Sequence, residues 1–318
     1  MSKLQILRTV DPILTSVARG YSNENYIGTN LFPIVNVEKE GGKIPLWGKE
    51  SFKLWNTARA IRANSNEMDG AWLDLTPYAM TEHDIQARLD YREIEEAMLQ
   101  VESRNSQMVM DQILLGYEKE QADLALNPDT YPDDNKVILS DDYFNEAEVN
   151  FIEVIHEYKA KLASIIAKDA NTLVIGKQVW NQLKFHPKLK GYLTAITEQN
   201  VIASIAKLKE VLEVDNILIG GARYSEDGDT FDFIWGNAMV LAYVTPPSGL
   251  ERNIYEPCFG YTLKKKGYPY ADKYEESNGK IRIVRATDMY DIKVVGSESG
   301  FLIKNPIDPA LYGYPSGD

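Results

Sequence analysis

The most constraining feature of the chain is a run of good helix formers without a proline, which ends at Asn127-Pro128. Residues 89–126 read LDYREIEEAMLQVESRNSQMVMDQILLGYEKEQADLAL. At 1.5 Å per residue, this run predicts a single rod-like helix of about 50 Å. A helix of this length is often part of a coiled coil, so the heptad pattern is the first test of what surrounds it.

The heptad pattern argues against a coiled coil. Apolar residues do repeat every seven positions, at Ile94, Val101, Met108 and Leu115. The matching positions that would complete the seam are instead occupied by small or charged residues, namely Ala97, Arg104, Asp111 and Glu118. Such a set cannot form a seam, and the narrow apolar stripe favours a helix that lies along a surface with one face in water.

The N-terminal stretch is unusually apolar for a loop. Residues 20–35 read GYSNENYIGTNLFPIV, with the single charge Glu24 and neither a helical nor a strand period. Exposed apolar patches of this kind are rare on monomeric proteins, so we expect another surface to cover it. We interpret residues 1–35 as an arm with at most a short helix over residues 13–18.

A long hairpin is predicted between the arm and the long helix. We read Gly41-Gly42 as a turn, Lys43–Trp55 and Ala71–Tyr78 as extended strands, and the polar residues 58–70 as a flexible, basic tip. A two-stranded hairpin is marginal alone in water. The hairpin therefore needs a partner surface.

The second half of the chain alternates helices with short apolar strands, such as TLVIG, NILIGG, FDFIW and MVLAYV, which indicates a compact α/β unit. Four further strands follow Pro246-Pro247 and read CFGYTLKKK, KIRIVRAT, YDIKVVG and GFLIKN. They are too few for an independent domain, so we expect them to complete a sheet that begins earlier in the chain.

The charge is uneven along the chain. Residues 1–65 contain nine Lys/Arg against five acids, a net charge of +4, which leaves −17 for the rest of a chain whose total is −13. Chance can produce such a split; alternatively, a basic arm and loop land on an acidic body. The acidic body argues against sequence-reading contact with nucleic acid.

No motif for chemistry is found. The histidines His83, His156 and His186 are far apart in sequence and have no ligand spacing, and we interpret Asp227-Gly228 as a hairpin turn rather than part of a calcium loop. The single cysteine, Cys258, is interpreted as a buried thiol of a protein folded in a reducing cytoplasm. No apolar stretch is long enough for a membrane span. We therefore predict no catalytic, metal or cofactor-binding residues.

The order of these parts resembles the major capsid proteins of tailed bacteriophages with the Hong Kong 97-type fold. The resemblance covers nearly the whole chain and is carried by four stretches and by the turn NPDTYPDDNKV. The stretches are ARGYSNENYIGTNLFPIV, GKIPLWGKE, NTLVIGKQVWNQLKFHP and DIKVVGSESGFLI, at residues 18–35, 42–50, 171–187 and 291–303.

The resemblance implies an α+β fold with an N-terminal arm, an extended β-hairpin loop, a long spine helix, a peripheral sheet and an α/β axial domain. The implied segments are the arm at 1–35, the peripheral strand and extended loop at 36–88, and the spine helix and peripheral domain at 89–145. The axial domain follows at 146–250, and the chain returns to the peripheral domain at 251–318.

The implied function is a structural one, without enzymatic activity: self-assembly as hexamers and pentamers into an icosahedral shell around double-stranded DNA. The implied partners are other copies of the chain, a separate scaffolding protein, a portal and weakly bound DNA, but no membrane. The implied location is the virion, with assembly in the host bacterial cytoplasm. Inter-subunit contacts are predicted in the arm and loop, at Tyr21, Tyr26, Leu31, Phe32, Trp47, Phe52, Trp55, Arg59, Arg62 and Trp72.

Two alternatives stay open at this point. An encapsulin shares the fold but forms a cellular compartment loaded with an enzyme. An enzyme such as a hydrolase with an unusual site is a third possibility, which the lack of a nucleophile–base pair or a metal cluster disfavours.

Overall fold

A computed structural model describes residues 9–11, 13–16, 26–46, 53–67, 74–96, 101–189, 205–246, 254–276 and 279–312. The strands in these ranges are β1 (Thr9–Val10), β2 (Ile34–Val37), β3 (Gly41–Pro45), β4 (Leu75–Ala79), β5 (Thr81–Asp90), β6 (Lys136–Ile138), β7 (Thr172–Gly176), β8 (Asn216–Gly220), β9 (Arg223–Tyr224), β10 (Asp232–Phe233), β11 (Ala238–Ala242), β12 (Gly260–Lys265), β13 (Tyr270–Glu275), β14 (Ile281–Val294) and β15 (Gly300–Lys304).

The α-helices in the same ranges are α1 (Gly28–Leu31), α2 (Tyr91–Glu96), α3 (Val101–Leu126), α4 (Phe151–Ile166), α5 (Lys177–Leu183) and α6 (Ile205–Leu212). Residues 13–16 add one helical turn. Short 3-10 helices follow at Pro128–Thr130, Asp133–Asn135, Ser297–Ser299 and Pro309–Tyr312.

The first sheet is organised around β14. Its strand order is β1-β13-β14-β12-β2, and β5 also pairs with β14, antiparallel and over the whole of its own length. The sequence analysis divided β14 into two strands, KIRIVRAT and YDIKVVG, and this division is wrong. The strand continues because Asp288, at the junction, is buried within the sheet and forms an ion pair of 2.6 Å with Lys264 of β12.

The second sheet has the order β6-β15-β11-β7-β8. Strand β15 therefore belongs here and not beside β12–β14, so the last strands of the chain complete two sheets. Along β7, Leu173 and Ile175 join a core with helices α4, α5 and α6, while Val174 joins a core shared with β12. This alternation is what a strand buried on both faces requires, and it makes the two sheets neighbours across one core.

Helix α3 lies on the first sheet, as its narrow stripe predicts. Its buried residues recur every three or four positions, and it contacts β5 and β14; they are Ser106, Val109, Met110, Ile113, Tyr117, Glu118, Gln121, Ala122 and Ala125. Met108, on the opposite face, is 56% exposed. The helix-on-a-surface prediction is confirmed.

The predicted start of the long helix is wrong. Leu89 and Asp90 are the last residues of β5, where they pair with Arg282 and Ile281 of β14, and α2 begins only at Tyr91. The good helix propensity of Leu89 yields to ten residues of strand pairing, since tertiary context overrides propensities of a few tenths of a kcal/mol. Residues 97–100, between α2 and α3, lie outside the described ranges.

The segment FDFIW is only partly a strand. Strand β10 pairs with β9 in a separate two-stranded ribbon, and the buried residues Ile234 and Trp235 follow it. The hairpin turn predicted at Asp227-Gly228 is confirmed. Gly228 has a φ of +84°, and the Asp227 carboxylate accepts hydrogen bonds from the backbone N–H groups of Asp229 and Thr230, both at 2.8 Å. These bonds hold the pKa of Asp227 well below its usual range.

Candidate inter-subunit surfaces

The extended loop is the segment that connects β3 to β4, which pair antiparallel to each other. Gly42, predicted as part of a turn, is a strand residue opposite Tyr78, and this prediction is wrong. The reason is steric: a Cβ at Gly42 would lie 2.8 Å from the Tyr78 ring, so glycine makes room for the ring in the strand. The last bond of the pair joins Leu46 N to Asp74 O at 2.7 Å, and the loop extends beyond it.

The described part of the loop, residues 53–67, contains a tight turn near its middle. The Ala63 N–H donates to Ala60 O at 3.1 Å, which places Ile61 and Arg62 at the two central positions. Arg62 has a φ of +68°, a left-handed conformation that costs a non-glycine residue of the order of 1 kcal/mol. The Arg59 guanidinium donates to Ala63 O at 2.7 Å. The turn is thus an ordered local structure.

Asn66 ties the two sides of this loop together. Its side-chain Nδ2 donates to Asn56 O at 2.7 Å and to Ala58 O at 2.9 Å. The Ala58 N–H in turn donates to Asn56 Oδ1 at 3.0 Å. The two bonds from Asn66 cross the loop, and the bond between Ala58 and Asn56 braces one side of it, so the tip is held in shape by its own polar groups.

The loop presents large apolar side chains to solvent. Leu54 is 97% exposed and Ile61 is 94% exposed, the two highest values among the large hydrophobic residues that the structure describes. Trp55 is half-buried, with the Lys53 ammonium 4.9 Å from its ring centre. Single exposed apolar residues are common, but two on one projecting, ordered loop indicate a contact surface.

The arm behaves differently from the prediction. Leu31 and Phe32 are fully buried in the core of their own chain, so the prediction that they contact a neighbouring subunit is wrong. The Phe32 ring lies 5.5 Å from that of Phe259, centre to centre, over the space that a Cβ at Gly260 would fill. Tyr26 is half-buried, and its hydroxyl donates to Asp111 Oδ1 of α3 at 3.1 Å.

Glu118 of α3 anchors this part of the arm. Its buried carboxylate accepts hydrogen bonds from the N–H groups of Ile27 at 3.0 Å and Gly28 at 2.8 Å, and from Trp235 Nε1 at 2.6 Å. Burial raises the pKa of Glu118, while the three hydrogen bonds act in the opposite direction. The carboxylate joins the arm, the long helix and the ribbon that precedes β11.

Residues 9–11 and 13–16 also pack on their own chain. β1 pairs with β13, and Thr15 Oγ1 donates to Ala271 O at 3.0 Å while it accepts from Ala271 N at 3.1 Å. Asp11 Oδ1 accepts from the N–H groups of Ile13 and Leu14 and caps the helical turn, and its other oxygen lies 2.7 Å from Lys273 Nζ. This hydrogen bond holds the pKa of Asp11 below its usual range.

The structure brings together only part of the predicted contact set. Trp55, Arg59 and Arg62 lie on one loop with Leu54 and Ile61, which the sequence analysis did not select. The remaining predicted contacts lie outside the described residues: Tyr21, Trp47, Phe52 and Trp72. Glu118 and Asn66 were also missed; the available signal for Glu118 was a carboxylate on the apolar stripe of the helix, which a buried position can hold only with donors around it.

The histidines have separate structural contacts. His83 stacks on Tyr290 with 4.2 Å between ring centres, and the Nε2 atoms of His156 and His186 lie 2.9 and 2.8 Å from the carbonyl oxygens of Val211 and Glu146. Within the described ranges, no group of three or more His, Cys, Asp or Glu could hold a metal ion. In the same ranges, no helix is long and apolar enough to cross a membrane.

Comparisons with known proteins agree with this architecture. The chain is 43% identical to the major capsid protein of Burkholderia phage BcepMu over 305 residues, which are 95% of the chain and 98% of that protein. A crystal structure of a phage-related protein from Bordetella bronchiseptica has 31% identity and a TM-score of 0.79, and the match covers 95% of this chain and 99% of that one. No protein-family model matches the chain.

A more distant match concerns the encapsulin alternative. The SrpI encapsulin of Synechococcus elongatus has 10% identity and a TM-score of 0.50, over 90% of this chain and 88% of that one. At this identity the likeness shows a shared fold and nothing more. The phage proteins, at 31–43% identity over almost the full chain, are much nearer.

Proposed function

Since the chain belongs to the family of phage major capsid proteins with the Hong Kong 97-type fold, we propose that its copies assemble as hexamers and pentamers into an icosahedral shell. The family makes the chain a structural protein of the virion capsid. In our proposal, the shell encloses double-stranded DNA and forms in the host bacterial cytoplasm, with a separate scaffolding protein and a portal.

The observation that best supports assembly is the extended loop. Ile61 is almost completely exposed on a tip that its own hydrogen bonds keep ordered, and Leu54, which precedes the bonded segment, is almost completely exposed as well. Covering each of these side chains by a neighbour would contribute about 1.5–3 kcal/mol. Because symmetry repeats the contact in every subunit, a modest contribution per copy suffices to favour a closed shell.

Charge supports the same contact. The described loop residues Lys53, Arg59 and Arg62 stand against one acid, Glu67, whereas the chain beyond residue 65 carries −17. Changing Arg59 and Arg62 to glutamate should therefore slow or block assembly. Raised salt should have a similar effect, because exposed pairs contribute at most about 1 kcal/mol each and are screened beyond about 10 Å at 0.1 M salt.

The decisive experiment replaces both apolar groups of the tip. The Leu54→Ser/Ile61→Ser variant should melt like the unmodified subunit but form no shells in electron micrographs. The matched control, Leu54→Ile/Ile61→Leu, keeps the apolar volume and should assemble normally. Normal shells from the serine variant would show that the loop is not a principal contact.

The arm is proposed to contribute through its position on its own subunit. Removal of residues 1–30 should abolish stable shells, because it takes away β1, the helical turn and the Glu118-bound segment together. The truncated chain should also be less stable, since Leu14, Ile27 and Gly28 are buried. Shells of normal stability from this truncation would remove the arm from the proposal.

DNA is proposed to be a weakly held occupant. With −17 outside the first 65 residues, the wall facing DNA should be near neutral or negative, so that counterions balance most phosphate charge. Titration of a fluorescent duplex at about 0.15 M salt should give no affinity tighter than about 10⁻⁶ M. Submicromolar binding that survives removal of residues 1–30 would contradict this account of the wall.

Two further parts of the sequence analysis remain proposals. The relatives are structural capsid proteins, and we propose that this chain likewise has no enzymatic activity. The five-segment division, with boundaries after residues 35, 88, 145 and 250, is proposed as the functional anatomy of the subunit. Limited proteolysis of the unassembled protein tests the boundary after residue 145, which lies in the connection between β6 and α4: cleavage should concentrate there and in residues 58–67. The boundaries after residues 35 and 88 lie within the paired strands β2 and β5, which should resist cleavage.

A further inference from the structure

A groove beside the docked arm is not filled by any of the residues that the structure describes. It has a volume of about 370 Å³ and lies between the helical turn at residues 13–16 and the beginning of α3. Its apolar part is formed by Ile13, Ile94 and Val101, and its polar rim includes Asp11, Glu102 and Lys273. Ile13 is 75% exposed although it sits on an ordered, capped turn. We call this feature the arm groove.

The surroundings of the arm groove are acidic. Lys273 pairs with Asp11 at 2.7 Å and with Glu102 at 3.5 Å, and Glu102 also pairs with Arg282, so these charges balance one another and the negative excess comes from α2. Helix α2, which contributes Ile94, also presents one arginine and three exposed glutamates: Arg92, Glu93, Glu95 and Glu96. The groove thus combines an apolar floor with an excess of negative charge at its edge.

The tip of the extended loop has the complementary character. Ile61 projects from the centre of the turn, 94% exposed, and Arg59 and Arg62 lie on either side of it in the sequence. Both arginines are exposed. An apolar side chain between two cations fits an apolar floor with an acidic rim, both in burial and in charge.

We infer that the loop tip of a second copy docks in the arm groove, with Ile61 on its apolar floor and Arg59 and Arg62 facing its acidic rim. The inference rests on the proposed function and names the surface that receives the loop. The tip does not occupy the groove of its own chain, since Ile61 would then be covered. In this arrangement the arm of one copy forms one wall of the groove that receives the loop tip of the next copy.

Disulfide trapping tests the contact in assembled shells. The variant Ile61→Cys/Ile13→Cys contains one other thiol, Cys258, which is buried. After mild oxidation of shells, non-reducing denaturing gels should show a ladder of covalently linked multimers. The matched control, Ile61→Cys/Met108→Cys, places the second thiol on the exposed face of α3 and should give no ladder.

The outcomes separate this inference from the proposed function. Intact shells without a ladder, an equal ladder from the control, or a disulfide within one chain would each overturn the groove contact while leaving shell formation established. Failure of the unmodified chain to form shells under any condition would overturn both.

Charge exchange provides a second measurement if the cysteine variant does not assemble. Arg59→Glu/Arg62→Glu should lower shell yield at least tenfold, and adding Glu95→Lys/Glu96→Lys should restore most of it. The same lysines alone should lower the yield. No restoration in a variant that melts normally would count against the groove.

Discussion

Two stretches near the N-terminus, residues 26–37 and residues 53–67, both carry large apolar side chains without a clear period, and these side chains end in opposite environments. In the first, Leu31 and Phe32 are completely buried in their own subunit. In the second, Leu54 and Ile61 are almost completely exposed. Apolar side chains in a segment without a clear period therefore do not by themselves say whether their own subunit covers them.

The difference lies in the partners that each stretch finds along the chain. In the first stretch, Phe32 packs against Gly260, where the absence of a side chain leaves space for the ring. The backbone of the same stretch donates hydrogen bonds to the carboxylate of Glu118. The second stretch satisfies its polar groups locally through Asn66 and keeps its apolar groups outward. The stretch whose partners lie far away in the sequence is part of the core, whereas the stretch whose hydrogen bonds are made among its own residues keeps its apolar side chains exposed.

The largest expected effect of a single substitution is at Phe32. Phe32→Ala should lower the free energy of unfolding of the subunit by about 3–5 kcal/mol, because it leaves a cavity beside Phe259 that the surrounding sheet cannot fill. Chemical denaturation of the unassembled protein measures this. Ile61→Ala is the matched control and should change the value by less than about 0.5 kcal/mol. Equal effects at the two positions would break the comparison between the stretches.

The second-largest loss of subunit stability is expected at Glu118. Glu118→Ala leaves three buried donors, on Ile27, Gly28 and Trp235, without an acceptor and should cost about 2–4 kcal/mol. Glu118→Gln keeps one carbonyl-type oxygen and should cost less. Hydrogen exchange should show faster exchange at residues 27–32 in the alanine variant, ahead of the rest of the subunit. Uniform exchange across the chain would mean that the carboxylate does not specifically anchor the arm.

Local regularities made part of this fold predictable from the sequence. The stripe on α3, the apolar strands β7 and β11 and the Asp227-Gly228 turn each depend on residues close together in the chain. The wrong predictions depend on distant pairs. Leu89 becomes a strand residue through β14, and Gly42 is a strand residue because of Tyr78.

The contact surface was predicted in the same uneven way. The basic tip of the loop is visible as Arg59 and Arg62, because cations in a polar, turn-rich stretch are exposed in almost any fold. The assignment of Leu31 and Phe32 failed because both pack in a core that includes residues more than two hundred positions away, such as Phe259 beside Phe32. Ile61 was missed because nothing in its neighbours distinguishes an apolar residue at the tip of a turn from one folded inward.

Asp11 should give a smaller, pH-dependent effect. Its pKa is depressed in the folded protein, so the bond to Lys273 stabilises the docked arm above the unfolded pKa of about 4 and is lost as the pH falls below that value. At pH 7, Asp11→Ala should cost about 1 kcal/mol as a lost helix cap. Asp11→Asn keeps the cap and should cost less, because Lys273 is 41% exposed and its pair is partly screened.

The measurement is denaturant unfolding of each variant between pH 7 and pH 3. The difference between the unmodified protein and Asp11→Asn should shrink toward zero at the acid end, since protonated Asp11 has no charge to pair with Lys273. A difference that stays constant with pH would show that the charge pair with Lys273 does not stabilise the docked arm, which Thr15 and the apolar contacts of Leu14 would then anchor.

Asn66 should have the smallest effect on the subunit and provides the sharpest test of a projection ordered by local bonds. Asn66→Asp is nearly isosteric but removes the two N–H donors that reach Asn56 O and Ala58 O. The free energy of unfolding should change by less than about 0.5 kcal/mol, because both bonds are exposed and no core residue moves.

Assembly should respond where subunit stability does not. A loosened tip must be ordered on docking, and that ordering costs free energy that the unmodified loop has already spent within its own chain. Shells should therefore form more slowly with Asn66→Asp, as followed by light scattering. Amides of residues 56–66 should exchange faster in the unassembled protein. Ser65→Ala, an exposed neighbour, should leave both measurements unchanged. Faster exchange without slower assembly would show that the loop docks in a shape other than the one its own bonds maintain.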